Sequence, residues 1–320
     1  MTMDVTVIVV NWNGEGLLRE CLRSIRDVPA GLSVQTILVD NGSRDNSVQT
    51  VRQEFPEVEL ICAGRNLGFG AANNLALRQA RGEFVMFLNP DARILPGSLQ
   101  TICDHLRKNG SVGAVGCKML NELGETQPLM TQSFPSPLSE FVRMFQEAVW
   151  FLNLVGLAPI TKDPDTFGVV VKLSGGCLTV RRSLLDALGG FDERFFMYCE
   201  DGDLCQRIVL AGWELHYLAD AAVTHVQGAC SRKAPPGFST LMQHESFYKY
   251  MAKYYGRAGA FRYRILICIG SLIRLSICCV LYPVTTILAR EHADKWRFRL
   301  LKNLRICCWA LGLARPTIPE

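Results

Sequence analysis

The sequence predicts an α/β fold built on a mostly parallel sheet, followed by a helical extension of different character. Three observations carry this reading. Up to about Lys118, short β-branched runs alternate with helical patterns, as in a sheet of βα units. Three of those strands end in Asn, Asp and Gly, the residue types that gather where an open α/β sheet binds its ligand. Near residue 230 the composition changes, from an acidic chain to one that is basic and apolar.

Val5 to Val10 is a short apolar run, the pattern of a strand buried on both faces. The spacing then predicts a helix over Leu17–Ile25, a strand over Thr36–Asp40 and a helix over Ser47–Glu54 with Ser43 or Asp45 as its N-cap. Strands over Val58–Cys62, Phe84–Leu88 and Val112–Cys117 follow, with helices over Gly70–Arg81 and Ser98–Lys108 between them. From Leu120 to about Lys172 the periodicity gives way to Pro-rich and aromatic stretches, read as an insertion over the acceptor side of a site. Regularity returns with a strand at Leu178–Val180, a helix at Ser183–Leu188 closed by Gly189-Gly190, a helix at Gly202–Ala211 closed by Gly212, and a strand at Glu214–Leu218. The domain boundary is placed at residue 230, leaving 1–230 as one domain and 231–320 as the extension. No repeat of 20 to 50 residues is present, so a solenoid or propeller is excluded.

Composition removes other classes. With 49% hydrophobic and 20% charged residues in 320, the chain buries enough apolar surface to fold. A net charge of +4 is too small for a nucleic-acid-binding domain. The thirteen cysteines include no C-x-x-C pair, so neither a disulfide framework nor a cysteine zinc site is indicated, and a reducing cytosol is the simpler setting. Met1 to Asn13 has neither the basic region nor the long apolar run of a secretion leader.

The strand ends read Asn11-Trp12-Asn13-Gly14, Asp40-Asn41-Gly42-Ser43 and Asn89-Pro90-Asp91. Each acid alone serves equally as a helix cap. Together on one rim they suit a polar ligand, with Asp40 placed for a base or ribose and Asp91 for a hard cation. Arg65 to Asn73 supplies Gly68 and Gly70, which suit a tight turn as well as close approach to a phosphate, and their spacing fits neither a dinucleotide fingerprint nor a P-loop. The densest group is Gly190 to Leu204, where four aromatics surround six ionisable residues ahead of a helix. Glu200, Asp201 and Asp203 there either favour the helix N-terminus or supply a general base from a partly apolar pocket. His225 alone reads as a structural histidine.

Taken together, Val7 to Asn13, Val39 to Ser43, Arg65 to Phe69, Leu88 to Ala92 and Phe195 to Cys205 resemble the family 2 glycosyltransferases of the GT-A, Rossmann-like fold, in particular their rhamnosyltransferase-like branch. The resemblance covers roughly residues 5 to 230. It implies sugar transfer from a nucleoside diphosphate donor with inversion, assisted by Mg²⁺ or Mn²⁺. By position it assigns Asn11, Asn13, Asp40, Asn66, Gly68, Asn73, Asn89, Gly175 and Gly176 to the nucleotide-sugar side, though Gly175-Gly176 serves equally as a strand kink. It assigns Asp91 to the metal and Asp201, with its neighbour Glu200, to catalysis. The family's D-x-D element reads Asn89-Pro90-Asp91 here, so one carboxylate is an amide, and His225 becomes the candidate for a second ligand. The Q-x-x-R-W element of processive members is absent, which implies one sugar per encounter. The alternative within this resemblance is a noncatalytic subunit that binds nucleotide sugar or glycan in a membrane assembly.

The mean hydropathy of +0.14 and the small net charge are averages over two halves. Residues 1–230 hold 19 basic and 26 acidic side chains, residues 231–320 hold 15 and 4. Ile265 to Leu288 is apolar over a length able to span a bilayer, broken by Arg274 and Pro283, and Asp294 to Arg315 mixes Trp, Phe and Leu with Lys and Arg as interfacial helices do. Three arrangements fit: an anchor on the cytoplasmic face of the cell membrane, a single span, and a hairpin buried in the protein. Residues 262–315 are taken as the membrane-contacting part, suited to a glycan or polyprenyl-linked acceptor.

Overall fold

The computed structural model describes residues 3–28, 31–127, 133–145, 165–226, 234–288 and 290–319. They divide into two compact units, Met1–Phe134 with Ile160–Lys233, and Pro135–Pro159 with Ala234–Pro319.

In the first unit, β1 (Met3–Asn11) is flanked by β2 (Val34–Asp40) and β4 (Gly82–Leu88), with β3 (Glu59–Cys62) outside β2, and all these pairings are parallel. Central burial explains the unbroken apolar run: Val5, Val7, Ile8 and Val9 are fully buried. Beyond β4 the sheet is mixed. β8 (Cys177–Arg181) enters antiparallel between β4 and β6 (Val112–Leu120), and β9 (Glu214–His225) runs parallel to β6. The expectation of a mostly parallel sheet therefore holds for the N-terminal half and is corrected beyond it. Two further strands close the far edge of β9, β5 (Ala92–Ile94) and β7 (Gly168–Val170), both antiparallel to it.

Helices α1 (Glu15–Arg26), α2 (Ser47–Glu54), α3 (Phe69–Leu77), α4 (Ser98–Lys108), α6 (Arg182–Leu188) and α7 (Glu200–Leu210) belong to this unit. Each of the longer amphipathic ones buries one stripe, as α1 does with Leu18, Cys21, Leu22 and Ile25 and α4 with Leu99, Ile102, Cys103 and Leu106. Helix α6 ends as its sequence predicts, on Gly189 in the left-handed conformation.

Three expectations are corrected. The N-cap position of α2 is Asn46, while Asp45 accepts from the Ser47 amide and Ser43 turns to β1 instead. Helix α3 stops at Leu77, four residues before Arg81. The last strand does not stop at Leu218: a register shift between Leu218 and Ala222 marks a bulge, and the chain continues paired to His225. Ala219-Asp220-Ala221 breaks the alternation that the sequence pattern relies on, which is why the continuation is hidden. Within the expected insertion, β7 belongs to the first unit, α5 (Pro137–Arg143) to the second, and 128–132 and 146–164 lie outside the described residues.

The second unit consists of α5, α8 (Phe238–Leu288), bent at Gly256 where φ is +68°, and α9 (Arg290–Ala310). Its core is aromatic. His244 stacks on Trp309, its Nδ1 lies 2.8 Å from the Tyr263 hydroxyl, and Trp309 donates from Nε1 to Glu245. Burial, with Arg143 and Lys302 nearby, pushes the His244 imidazole down to about 3. A group whose folded value lies below its unfolded value of 6.5 makes stability fall as pH drops below 6.5, because only the unfolded chain takes up the proton. By pH 5 this amounts to about 2 kcal/mol. Helix melting followed by circular dichroism should therefore lose more stability between pH 7 and pH 5 in the natural protein than in His244→Gln.

Candidate active site

The carboxyl ends of β1 and β2 meet through Ser43. Its hydroxyl accepts from Asn11 Nδ2 at 3.1 Å and from the Asn13 amide at 2.9 Å, and its own amide donates to Asp40 Oδ2 at 3.1 Å. Asn13 sits at φ +53° and accepts from the Arg44 amide. Asn11 Oδ1, Trp12 Nε1 and Asp40 Oδ1 are buried without a hydrogen-bond partner among the described residues. An unmet buried polar atom is costly, and three on one wall mark a surface complementary to a polar ligand.

A second group forms where β5 pairs with β9. Ala92 lies opposite His225, and the Val226 amide donates to the Asp91 carbonyl at 3.0 Å. This brings Asp91 Oδ1 within 3.3 Å of His225 Nε2, both side chains buried, while Asn89 Nδ2 donates to the same nitrogen at 3.1 Å. Gln127 fixes the imidazole from behind: its Nε2 donates to the His225 carbonyl, which leaves its Oε1 to face Nδ1 at 3.3 Å. The proton is thereby assigned to Nδ1, and the single Nε2 lone pair accepts from Asn89 beside Asp91, so a cation there would take the place of the Asn89 hydrogen bond. The separation of Asp91 Oδ1 from His225 Nε2 is that of two ligands each about 2.1–2.2 Å from one ion. These residues fit a divalent cation. Among the described residues no cluster of three His, Cys, Asp or Glu side chains is present, so the other ligands of such an ion would be substrate phosphate and water, as is usual for Mg²⁺.

The third group begins α7. Asp201 accepts from the Gly175 amide at 3.1 Å and the Gly202 amide at 2.6 Å, and Lys172 Nζ lies 3.8 Å from its Oδ1. The Asp201 side chain is 20% exposed. Glu200 faces inward, buried, with Oε2 unpartnered among the described residues. Burial, and then the neighbouring Asp201 charge, raise the Glu200 carboxyl to about 8, so it is mostly protonated at neutral pH. Asp203 is spent on structure: it binds Arg207, whose guanidinium reaches the Leu188 and Gly190 carbonyls.

A strap joins the last two groups. The Asn89 amide donates to the Gly176 carbonyl at 3.0 Å, and the residue before Gly176 holds Asp201. A side chain at Gly175 would crowd Asp201, and one at Gly176 would meet Met119 at 2.7 Å, so these glycines make room for the protein's own side chains. Gly68 is similar. The Asn66 side chain accepts from the Gly68 amide and from Asn41, Asn41 also holds Leu67 and Gly68, and the Phe69 amide donates to the Phe196 carbonyl. Asn73 is buried in α3 with its amide on the Phe69 carbonyl. Sequence reading missed Gln127 and Lys172, which lie within or beside the irregular 120–172 stretch where no periodicity signals a role. It quoted Asn41 in a motif without seeing that this side chain organises the Asn66–Gly68 loop.

The model of the family described as glycosyl transferase family 2 matches residues 6–188, more than half of the chain. This chain belongs to glycosyl transferase family 2. It is similar to the N-acetylglucosaminyl-diphospho-decaprenol L-rhamnosyltransferase of Mycobacterium tuberculosis (strain H37Rv), 32% identical over 265 residues that cover 79% of this chain and 85% of that protein. Rhamnosyltransferase WbbL of Escherichia coli (strain K12) is 28% identical, with 67% and 80% covered. Among solved structures, the mannosyltransferase PcManGT from Pyrobaculum calidifontis, in complex with GDP-Man and Mn²⁺, aligns with a TM-score of 0.58 at 18% identity over 98% of this chain and 87% of that one. The glycosyltransferase thus has the GT-A fold.

In this family 2 enzyme Gly68 is a structural necessity of the site. Its φ is +83°, and a Cβ there would lie 2.2 Å from the Phe196 carbonyl oxygen. Gly212 has φ +86° with nothing within 4 Å. Urea denaturation of Gly212→Ala should show a loss of about 1 kcal/mol, from backbone strain alone. Gly68→Ala should lose about 3 kcal/mol or more, because backbone must move.

Proposed function

We propose that this glycosyltransferase is an inverting, metal-dependent, nonprocessive enzyme of cell-surface polysaccharide assembly. It moves a sugar, L-rhamnose from a dTDP-linked donor, to a hydroxyl of a polyprenyl-diphosphate-linked glycan at the cytoplasmic face of the membrane. The observation that carries the chemistry is the approach of Asp91 to His225 at 3.3 Å, joined through the Asn89–Gly176 strap to the Asp201 carboxylate. The names of the mycobacterial and E. coli relatives support the sugar, and the first also supports the lipid-linked acceptor.

In this reading the buried, unmet atoms of Asn11, Trp12 and Asp40 receive the nucleoside. Asp91 and the Nε2 of His225 would hold Mg²⁺ or Mn²⁺, with Gln127 orienting the imidazole through Nδ1. Such a cation would supply positive charge to the departing diphosphate. Asp201, reachable from solvent, removes the proton of the acceptor hydroxyl. Glu200 stays protonated beside it, which keeps a second negative charge out of the pocket, and Lys172 balances the one that remains. Membrane contact through residues 262–315 brings the enzyme to a lipid-linked acceptor, supported by one helix long and apolar enough to cross a bilayer.

Two substitutions separate the roles. Asp201→Asn should lower kcat by at least a thousandfold while dTDP-sugar affinity, measured calorimetrically with Mn²⁺, changes less than threefold; ordinary turnover would remove Asp201 as the base. Asp91→Ala should weaken nucleotide binding only when metal is present, and identical affinities with and without Mn²⁺ in the natural enzyme would end the metal assignment.

Lys172→Met leaves the Glu200–Asp201 pair without its cation, so the pair retains a proton to higher pH. The Glu200 carboxyl, followed by carbon-13 NMR, should then hold its proton to higher pH than in the natural enzyme, and Lys172→Arg should restore it. An unmoved Glu200 titration in Lys172→Met would show that the ammonium does not act on the pair.

A further inference from the structure

Past Gly256, α8 carries apolar side chains on both sides, its charged residues being Arg257, Arg262, Arg264 and Arg274. Ala260, Tyr263, Ile267, Ser271 and Cys278 are buried, and their three-and-four spacing forms one stripe on a helix that packs against α5 and α9. The opposite face carries Phe261, Ile265, Ile269, Leu272, Ile277 and Val280, all between 42% and 66% exposed. A core helix of a water-soluble protein hides such a face. Here only 22% of the most apolar eighteen-residue stretch is buried.

The register of α9 decides how that face meets lipid. Arg264 donates to the Ala310 carbonyl at 2.8 Å and the Trp309 carbonyl at 3.0 Å, and the free thiols of Cys268 and Cys307 share a hydrogen bond, so the two helices run antiparallel. By sequence position this lays Lys295, Arg297 and Arg299 alongside the apolar part of α8 that follows Cys268, while the Arg305 side chain lies against Gly237 and Lys302 is near His244. A membrane-crossing α8 would draw these three cations into the hydrocarbon with it, each strongly unfavourable there. In the plane of a leaflet the same arrangement is complementary. The 261–280 face meets acyl chains, Phe298, Leu301 and Leu304 of α9 add exposed apolar surface, and the cations sit at the level of lipid phosphates.

We infer that α8 and α9 form a monotopic hairpin lying in one leaflet of an anionic bilayer, immersed through the 261–280 face of α8, and that α8 does not cross. The inference rests on the membrane contact proposed above and fixes its geometry.

The test uses the full chain with vesicles of phosphatidylcholine containing 30% phosphatidylglycerol. Tryptophan is introduced singly at Phe261→Trp, Leu272→Trp and Val280→Trp, and its quenching by lipids brominated at shallow or deep acyl positions is measured against the unsubstituted protein. All three should be quenched best by the shallow probe. A Leu272→Trp signal quenched best by the deep probe, flanked by two shallow ones, would establish a span and overturn the in-plane arrangement while leaving membrane contact intact. Ile269→Glu with Ile277→Glu, its helicity checked by circular dichroism, should bind these vesicles at least tenfold less in flotation. Unaltered flotation together with a halved solution mass would show that a second copy of the chain covers this face, and would overturn the inference. Failure of the natural protein to bind vesicles would remove the membrane contact itself.

Discussion

The pairing of β5 with β9 is the interaction on which the far side of the site depends. It sets Ala92 opposite His225, two positions far apart in sequence, and the Val226 amide bonds to the Asp91 carbonyl. Because side chains on a strand alternate faces, a slip of one residue would turn His225 away from Asp91 altogether. The bulge between Leu218 and Ala222 bends β9 locally and shifts its register, and β9 stays paired with β6 through Thr224 while its other edge takes β5. The Leu95 amide on the Ala222 carbonyl and the Ala222 amide on Ser98 Oγ then hold the bend. At the position where the D-x-D pattern has its first carboxylate, Asn89 donates a hydrogen bond to the imidazole.

At the start of α7 two adjacent carboxyl groups live in different solvents. Glu200 and Asp201 follow one another on a helix, so they point about 100° apart. One falls into the core beside α3, the other toward the Gly175 strap. Burial, and then the Asp201 charge, raise Glu200 to about 8, while Asp201 stays partly exposed beside two amides and a lysine. The proposed division between a charged base and a neutral neighbour follows from this asymmetry.

The second unit shows the same principle on a larger scale. Its helices are held together by an aromatic centre around His244, Tyr263 and Trp309, with Arg264 closing the hairpin over Trp309. That centre uses up one side of α8 only. The basic excess of residues 231–320 is thereby set against an apolar face, which is the combination that suits an interface between water and lipid.

Much of this was legible in the residues themselves. The order of strands and helices through Lys118 apart from the short β5, the closing glycines at Gly189 and Gly212, the polar residues Asp40, Asp91 and Asp201, the family, and the change of character near residue 230 all follow from local periodicity, turn chemistry and motif. What periodicity does not encode is who sits beside whom. Gln127 and Lys172 carry no local signal, and their positions are set only when an irregular segment lies against β9 and α7. The antiparallel entry of β8, the continuation of β9 to His225 and the register that lays three cations of α9 beside the apolar part of α8 are likewise pairings between distant segments. The sequence by itself determined which residues have the chemistry for sugar transfer and which stretch is too apolar for water. Tertiary structure alone decided that Asp91 meets His225, that Glu200 is neutral beside Asp201, and that one face of α8 is left open, because each is set by burial and register, and those exist only once distant segments pack.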